Sequence, residues 1–149
     1  MSTLTKYCQN GANGYEGFTD ALTELETADD AACVLWGSKW RTPSEEQFAE
    51  LLNGTYTTAV WMMVNNVYGL KITSKKNGNY IFLPAAGMYN GTTPYRVGVM
   101  GSYMTRTIGL YPYNACRFYF EMGTITNNNT SRSYGQPVRA VMVAGPIEE

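Results

Sequence analysis

The segment around KKNGN (residues 75–79) constrains the fold of this chain more than any other stretch. Apolar and polar residues alternate over residues 70–74 and again over residues 79–83, as they do in strands with one buried face. Asn77 and Gly78, between these runs, favour a type I′ turn because both residue types tolerate a positive φ. The segment therefore predicts an antiparallel hairpin whose second strand ends at Pro84.

Short strands and turns are predicted for most of the chain beyond residue 54. Fifteen Gly, 12 Tyr and many Asn and Thr residues favour strands joined by turns over a helical bundle. Apolar or alternating runs predict further strands at residues 59–64, 101–107, 115–121 and 136–143. The stretches at 109–114 and 123–135 are rich in Gly, Pro and Asn and are predicted to be long loops.

A first helix is predicted over residues 31–36. Thr27 is a suitable N-cap, and Asp29 and Asp30 would lie in the first turn, where carboxylates complement the helix dipole. Gly37 is a suitable residue to end the helix in a left-handed conformation.

A second helix is predicted from the sequence WRTPSEEQFAELLNG. Thr42 would be the N-cap, Pro43 the first helical residue and Glu45 the partner that completes a capping box. Phe48 and Leu51 belong to an apolar stripe at helical spacing. The capping role explains Glu45 without any catalytic function.

The sequence contains no His, and its three Asp residues all precede residue 31. His is the commonest general base and the commonest metal ligand, so its absence argues against the usual catalytic and metal sites. We therefore predict no catalytic residue, no metal and no cofactor. An enzyme that uses a Cys or a Tyr/Arg site is the alternative that this composition leaves open.

Charge and hydropathy argue against two classes of partner. A net charge of −1 gives the chain no electrostatic footprint for nucleic acid. No apolar run approaches the roughly 18 residues of a membrane-spanning helix, so no membrane insertion is predicted. The beginning, MSTLTKYCQNG, has neither a basic n-region nor an apolar h-region, so no signal peptide is predicted.

The three cysteines, Cys8, Cys33 and Cys116, allow two interpretations. In an exported protein a Cys8–Cys33 disulfide would tie the N-terminal segment to the first helix and leave Cys116 free. In an intracellular protein all three would be thiols. The sequence leaves both open.

Polar residues in the second half of the chain are typical of a recognition surface. Residues 77–149 contain five Arg and three Glu but no Lys and no Asp, and seven of the 12 Tyr follow residue 88. Tyr gives rigid contact area and Arg gives planar hydrogen bonding. Alternation in the strand at 115–121 places Cys116, Phe118 and Phe120 on a core face, and Arg117, Tyr119 and Glu121 on the opposite face.

Four motifs follow one another between residues 29 and 142: DDAA, WGSKWRTPSEEQFAELL, YGLKITSKKNGNYIFLPAAG and SRSYGQPVRAVM. In this order they resemble the Fibrobacter succinogenes major paralogous domain family, which is similar to the C-type lectin fold of formylglycine-generating enzymes. The resemblance implies one C-type lectin-like domain over residues 1–149. Its class would be α+β, with two N-terminal helices and a twisted, mostly antiparallel sheet with long loops.

The stretch GSYMTRTIGLYPYNACRFYF (residues 101–120), followed by VRAV, resembles the variable segment of proteins diversified by a reverse transcriptase. Such proteins belong to diversity-generating retroelements, and the resemblance implies a candidate variable region at about residues 101–141. Mutation of template adenines converts an Asn codon into codons for Thr, Arg, Leu, Tyr or Cys, the residue types that occupy these slots. Met104 departs from the family, which has Trp there.

The predicted ligand-binding residues follow from that resemblance. They are Tyr103, Thr105, Arg106, Ile108, Leu110, Tyr111, Tyr113, Cys116, Arg117 and Tyr119. Neither inherited chemistry of the fold is expected, because no Asp follows residue 30 to bind calcium and Cys116 lacks the second active-site Cys of the formylglycine-generating enzymes.

The resemblance thus implies a non-catalytic, receptor- or adhesin-type variable protein at a cell surface or on a phage particle. Its partner would be an unknown protein or glycan, and its oligomeric state is left open. The alternative is an undiversified surface adhesin or carbohydrate-binding module of the same family.

Overall fold

Strands dominate the protein: in the computed structural model, which describes residues 3–143, 44% of the chain lies in strands and 11% in helices. The helices are α1 (Ala31–Trp36) and α2 (Glu45–Leu51), and a 3-10 turn covers Tyr15–Gly17. The strands are β1 (Trp40–Arg41), β2 (Thr57–Val64), β3 (Val67–Ser74), β4 (Tyr80–Pro84), β5 (Met88–Asn90), β6 (Thr93–Tyr95), β7 (Met100–Ile108), β8 (Asn114–Glu121), β9 (Thr124–Ser131), β10 (Tyr134–Gly135) and β11 (Val141–Met142).

The strands form several small antiparallel sheets instead of one large sheet. Two three-stranded sheets have the orders β2-β3-β4 and β7-β8-β9, so each is a simple meander. A third sheet has the order β10-β5-β6, and β1 pairs with β11. All of these pairings are antiparallel.

The predicted α+β, C-type lectin-like class with two N-terminal helices is wrong. The structure is mostly β, and its helices lie after residue 30. Both helices are short, with six residues in α1 and seven in α2. Gly37, at φ 94°, ends α1, because a left-handed residue cannot continue the helix. Backbone pairing among strands therefore determines the architecture.

The stretch at 123–135, predicted to be a long loop, contains the eight-residue strand β9. Its sequence, TITNNNTS, has low strand propensity, but β9 is the edge strand of its sheet and pairs along its whole length with β8. Polar residues suit an edge strand because half of their side chains face water. The predicted strand at 136–143 is reduced to β11, and β10 precedes it.

The two hairpin turns of the β2-β3-β4 sheet differ in type, and the predicted type I′ turn is absent from the second. Asn65 and Asn66 join β2 to β3, and both have positive φ values, 49° and 64°, as a type I′ turn requires. In the KKNGN segment only Gly78 has a positive φ, 74°, and five residues separate β3 from β4. The hairpin at residues 70–83 is therefore confirmed, but its type I′ turn is wrong.

Both helix caps lie two or three residues beyond their predicted positions. Asp30, not Thr27, caps α1, and its carboxylate accepts a hydrogen bond from the Ala32 amide at 3.0 Å. Ser44, not Thr42, caps α2 and forms a capping box with Gln47. Thr42 is instead bound by its amide and hydroxyl to the carboxylate of Asp30.

An aromatic core joins α2 to the two larger sheets. Phe48 of α2 stacks on Phe118 of β8 with ring centroids 4.6 Å apart. Phe120 contacts Tyr103 and Trp61, at centroid distances of 5.9 and 6.3 Å. The cluster is completed by Leu70, Ile72 and Leu83 of the β2-β3-β4 sheet. The predicted core face of the 115–121 strand is confirmed, since Cys116, Phe118 and Phe120 are 3% exposed or less.

Cys8, Cys33 and Cys116 are all free thiols in this structure. The Cys8–Cys33 disulfide considered for an exported protein is therefore not formed. Within residues 3–143, none of the helices has the length and apolar character needed to cross a bilayer.

Candidate ligand-binding site

Three of the predicted binding residues lie in the interior. Tyr103, Thr105 and Cys116 are 5%, 1% and 3% exposed. The Tyr103 hydroxyl donates a hydrogen bond to the Pro84 carbonyl at 2.9 Å, and the Thr105 hydroxyl donates to the Cys116 carbonyl at 2.8 Å. Burial raises the pKa of Tyr103 and of Cys116 to about 12. All three therefore act as core residues, and the Cys116 thiol is protonated at neutral pH.

Arg106 is held by the scaffold. Its Nε donates to Glu24 Oε2 at 2.9 Å, and its Nη1 donates to Gln47 Oε1 at 2.8 Å and to the Thr42 carbonyl at 3.1 Å. These bonds fasten β7 to the N-terminal segment and to the start of α2. The Arg106 side chain is also only 18% exposed, so it serves to hold the scaffold together.

Arg117 and Tyr119 lie on the face of the β7-β8-β9 sheet that points away from Phe48; we call this the outer face. The Arg117 Nε donates to Asn128 Oδ1 at 2.8 Å, and its Nη1 donates to Ser102 Oγ at 3.0 Å. Ser102 in turn donates to Gln136 Oε1 at 2.8 Å. Side chains of β9 and β7 thus hold the edges of the guanidinium, which lies over the Tyr119 ring.

The outer face continues from Tyr119 to an ion pair. Glu121 is the next outward residue of β8, and it forms a salt bridge with Arg96 at 2.5 Å. Burial, together with the interaction with Glu121, raises the pKa of Tyr119, so its hydroxyl is a neutral donor at physiological pH. The row Arg117, Tyr119, Glu121 and Arg96 therefore alternates cationic, aromatic and anionic groups along one rigid surface.

The connection between β7 and β8 exposes a separate apolar tip. Leu110, Tyr111 and Tyr113 are 73%, 52% and 56% exposed. The Tyr111 and Tyr113 rings stack with centroids 5.7 Å apart and an interplanar angle of 5°. The tip is anchored where the Leu110 amide donates to Asn129 Oδ1 at 2.8 Å. A stacked and anchored Tyr pair offers a pre-ordered contact surface.

Ile108 occupies a third environment, a cavity of about 360 Å³. The cavity lies between the hairpin of β7 and β8 and the segment at residues 132–138, and Met104 and Ala115 also line it. The ten predicted residues are therefore divided: the outer face holds Arg117 and Tyr119, the tip holds Leu110, Tyr111 and Tyr113, and the rest are in the core, in the cavity or tied to the scaffold.

Sequence reasoning missed four residues that complete the outer face: Ser102, Asn128, Gln136 and Arg96. Asn128 lay in a predicted loop, and Arg96 lies outside the predicted variable region. The strand pairing reveals two of the four, since Ser102 lies opposite Tyr119 and Asn128 lies opposite Arg117. The only usable signal was the strong alternation in β8.

Groups of three or more His, Cys, Asp or Glu side chains that could hold a metal are not found among residues 3–143. Comparison of the chain with known protein families, with curated proteins and with solved structures finds no match.

Proposed function

We propose that this chain is a non-catalytic, receptor- or adhesin-type binding protein that contacts its ligand through the outer face and the apolar tip. The observation that carries the proposal is the exposure of the tip residues Leu110, Tyr111 and Tyr113 on a hairpin whose opposite face forms the core. Side chains with no packing role can change without loss of the fold. Tyr and Arg at such positions favour protein or glycan ligands.

We further propose that the sequence of this surface is diversified by a retroelement, because the 101–120 stretch resembles the variable segment of such proteins. The distribution of burial supports diversification at some slots and opposes it at others. Tyr103, Thr105 and Cys116 have core roles, so substitution there would cost stability. Leu110, Tyr111, Tyr113 and Tyr119 are the slots at which variation is compatible with folding.

The proposed setting is a cell surface or a phage particle, where a changing binding face has a selective use. The partner would be a protein or a glycan, recognised by aromatic stacking and by hydrogen bonds from Arg117.

Genome sequencing around the gene tests the diversification directly. The proposal expects a neighbouring reverse transcriptase gene and a near-copy of codons 101–141 that differs only at adenines. Substitutions should concentrate at codons 110, 111, 113 and 119. Differences spread evenly over the four bases, or the lack of any template copy, would overturn diversification and leave an ordinary adhesin.

A second candidate, a carbohydrate-binding module that is not diversified, is supported by a different place in the molecule. Trp36 and Trp40 are 55% and 38% exposed and line an open cleft of about 560 Å³ together with Arg139. Exposed indole rings are suited to stacking on sugar rings. Glycan-array binding that is lost in Trp40→Ala and kept in Tyr111→Ala would favour this candidate over the first.

A further inference from the structure

The cavity of about 360 Å³ between the β7-β8 hairpin and the 132–138 segment has the volume of a small-molecule site. Its lining includes Met104, Ile108 and Ala115 on β7 and β8, together with Val138. These four side chains give it a mainly apolar interior. Such a space favours an apolar group of a ligand over bulk water.

One charged side chain, Arg132, enters this apolar lining. Its Nη2 donates to the Tyr7 carbonyl at 2.7 Å, and its Nε donates to the Asn114 carbonyl at 3.1 Å. Tyr7 and Asn114 line the cavity as well, so the guanidinium bridges two of its walls. Both acceptors are neutral carbonyls, which fix the guanidinium in place without neutralising its charge.

The Arg132 charge has no ion-pair partner within residues 3–143: no carboxylate oxygen of that part of the chain lies within 4.0 Å of it. Burial lowers the pKa of Arg132, and Asp20 acts on it only from a longer distance. The Asp20 carboxylate is already occupied by the backbone amides of Tyr7, Cys8 and Leu22. A half-buried cation of this kind is stabilised by an anion that reaches it.

We infer that this cavity binds a small organic acid, with its carboxylate on Arg132 and its apolar body against Met104 and Ile108. The Arg132 Nη1 has no acceptor among the described residues, so it provides the donor for a carboxylate oxygen. The Gln136 side chain, which also lines the cavity, is fixed by Ser102. The cavity shares Gln136 with the outer face, but the inference needs neither the exposed tip nor diversification.

Methionine-methyl NMR of the full chain tests the inference, with 4-phenylbutyrate as the probe and its neutral amide, 4-phenylbutanamide, as the matched control. Met104 lines the cavity, and Met104→Leu identifies its resonance among the eight methionines. We expect the acid to shift the Met104 methyl resonance and to bind at least about tenfold more tightly than the amide, since an Arg–carboxylate contact is lost with the amide.

Three variants separate charge, space and nonspecific attraction. Arg132→Gln should reduce acid binding to the level of the amide. Ala115→Leu should fill the cavity and block both probes while Arg132 is intact, which keeps the test valid where Arg132→Gln weakens the fold. Lys76→Gln removes one positive charge from an exposed position outside the cavity and should leave acid binding unchanged.

Equal binding of acid and amide would overturn the role of Arg132. A Met104 resonance unmoved at millimolar acid, or acid binding unchanged in Ala115→Leu, would overturn the site itself. None of these results bears on the genomic test, so the two proposals fail separately.

Discussion

The guanidinium of Arg117 lies 4.6 Å from the centre of the Tyr119 ring, and the two residues are successive outward positions on β8. The cation is therefore held over the aromatic face by the pleat of the strand, while Asn128 and Ser102 hold its edges. A ligand that meets this pair finds donors and a flat ring already in place, so little side-chain entropy is lost on binding.

Removal of Arg117 should cost stability, whereas removal of a tip residue should not. Arg117→Ala leaves Ser102 and Asn128 without their charged partner, and we expect a loss of about 1–3 kcal/mol in unfolding free energy. Leu110→Ala, at a side chain 73% exposed, should change it by no more than about 0.5 kcal/mol. Urea unfolding measures both. Equal losses of unfolding free energy in the two variants would contradict the claim that Arg117 stabilises the fold and Leu110 does not.

Randomised libraries offer a test of the division among the ten predicted residues. A library at positions 110, 111 and 113 should yield mostly folded clones, because these side chains are exposed. A matched library at positions 103, 105 and 116 should yield few, because core substitutions leave cavities or unpaired polar groups. Surface display followed by protease challenge gives the folded fraction. Similar fractions in the two libraries would contradict the core assignment of Tyr103, Thr105 and Cys116.

Alkylation of the native protein should distinguish the three thiols. Cys8 and Cys116 are buried, and the raised pKa of Cys116, about 12, keeps its thiol protonated at pH 8. Cys33 is only half-buried. We expect iodoacetamide to modify Cys33 alone, and all three after denaturation, as read by intact mass. Modification of only one thiol after denaturation would instead indicate a disulfide between Cys8 and Cys33.

Local patterns in the sequence predicted the strands that have one buried face. Alternation identified β8, and its Phe118 and Phe120 are fully buried as expected. The same argument failed for β9, since NNNT has no apolar alternation and its strand conformation comes from pairing with β8. The conformation of an edge strand depends on the strand with which it pairs, and the pattern of its own residues does not identify that partner.

The helix caps were predicted to within three residues, because several residues of the same chemistry compete for the cap position. Thr42 and Ser44 are both suitable N-caps. The Thr42 hydroxyl donates its hydrogen bond to the buried carboxylate of Asp30, and Ser44 caps the helix. Hydrogen bonding to particular partners also explains why the ten predicted binding residues lie in different environments. The family resemblance placed Arg106 and Arg117 in one set, whereas contacts with Glu24 and Gln47 commit Arg106 to the scaffold.

Gly101 should tolerate no side chain. A Cβ at this position would lie 2.0 Å from the Phe120 ring, which lies opposite it in the β7-β8 pairing. We expect Gly101→Ala to cost at least about 1–3 kcal/mol, the range for overpacked cores. Gly54→Ala is the matched control, since its Cβ would meet no atom within 4 Å, and it should stay within about 1 kcal/mol of the parent. Thermal unfolding compares the two, and a tolerated Gly101→Ala would contradict this packing.

Asp30 should make the fold sensitive to acid. Its carboxylate is fully buried and accepts bonds from Thr42 Oγ1 at 2.7 Å, Arg41 Nε at 2.8 Å and the Ala32 amide at 3.0 Å. Burial alone would raise the pKa of Asp30, but the hydrogen bonds from Thr42, Arg41 and Ala32 outweigh it and hold the pKa below its usual value.

A lowered pKa in the folded state means that the unfolded chain binds the proton more tightly. The contribution of Asp30 is therefore complete above its unfolded pKa of about 3.9 and is lost as the pH falls through the lower folded value. At pH 7, Asp30→Asn should cost at least about 2 kcal/mol, because charge-assisted hydrogen bonds become neutral or are lost. The difference in unfolding free energy between parent and variant should then become smaller below about pH 4.

Asp29→Asn is the control for this effect. Asp29 pairs with Lys6 and Tyr7 at the surface, where water screens the charges, so its replacement should have a much smaller effect. Urea unfolding from pH 2 to pH 7 compares the three proteins. If the difference in unfolding free energy between the parent and Asp30→Asn stays constant over that range, Asp30 stabilises the fold by its packing and not by its charge.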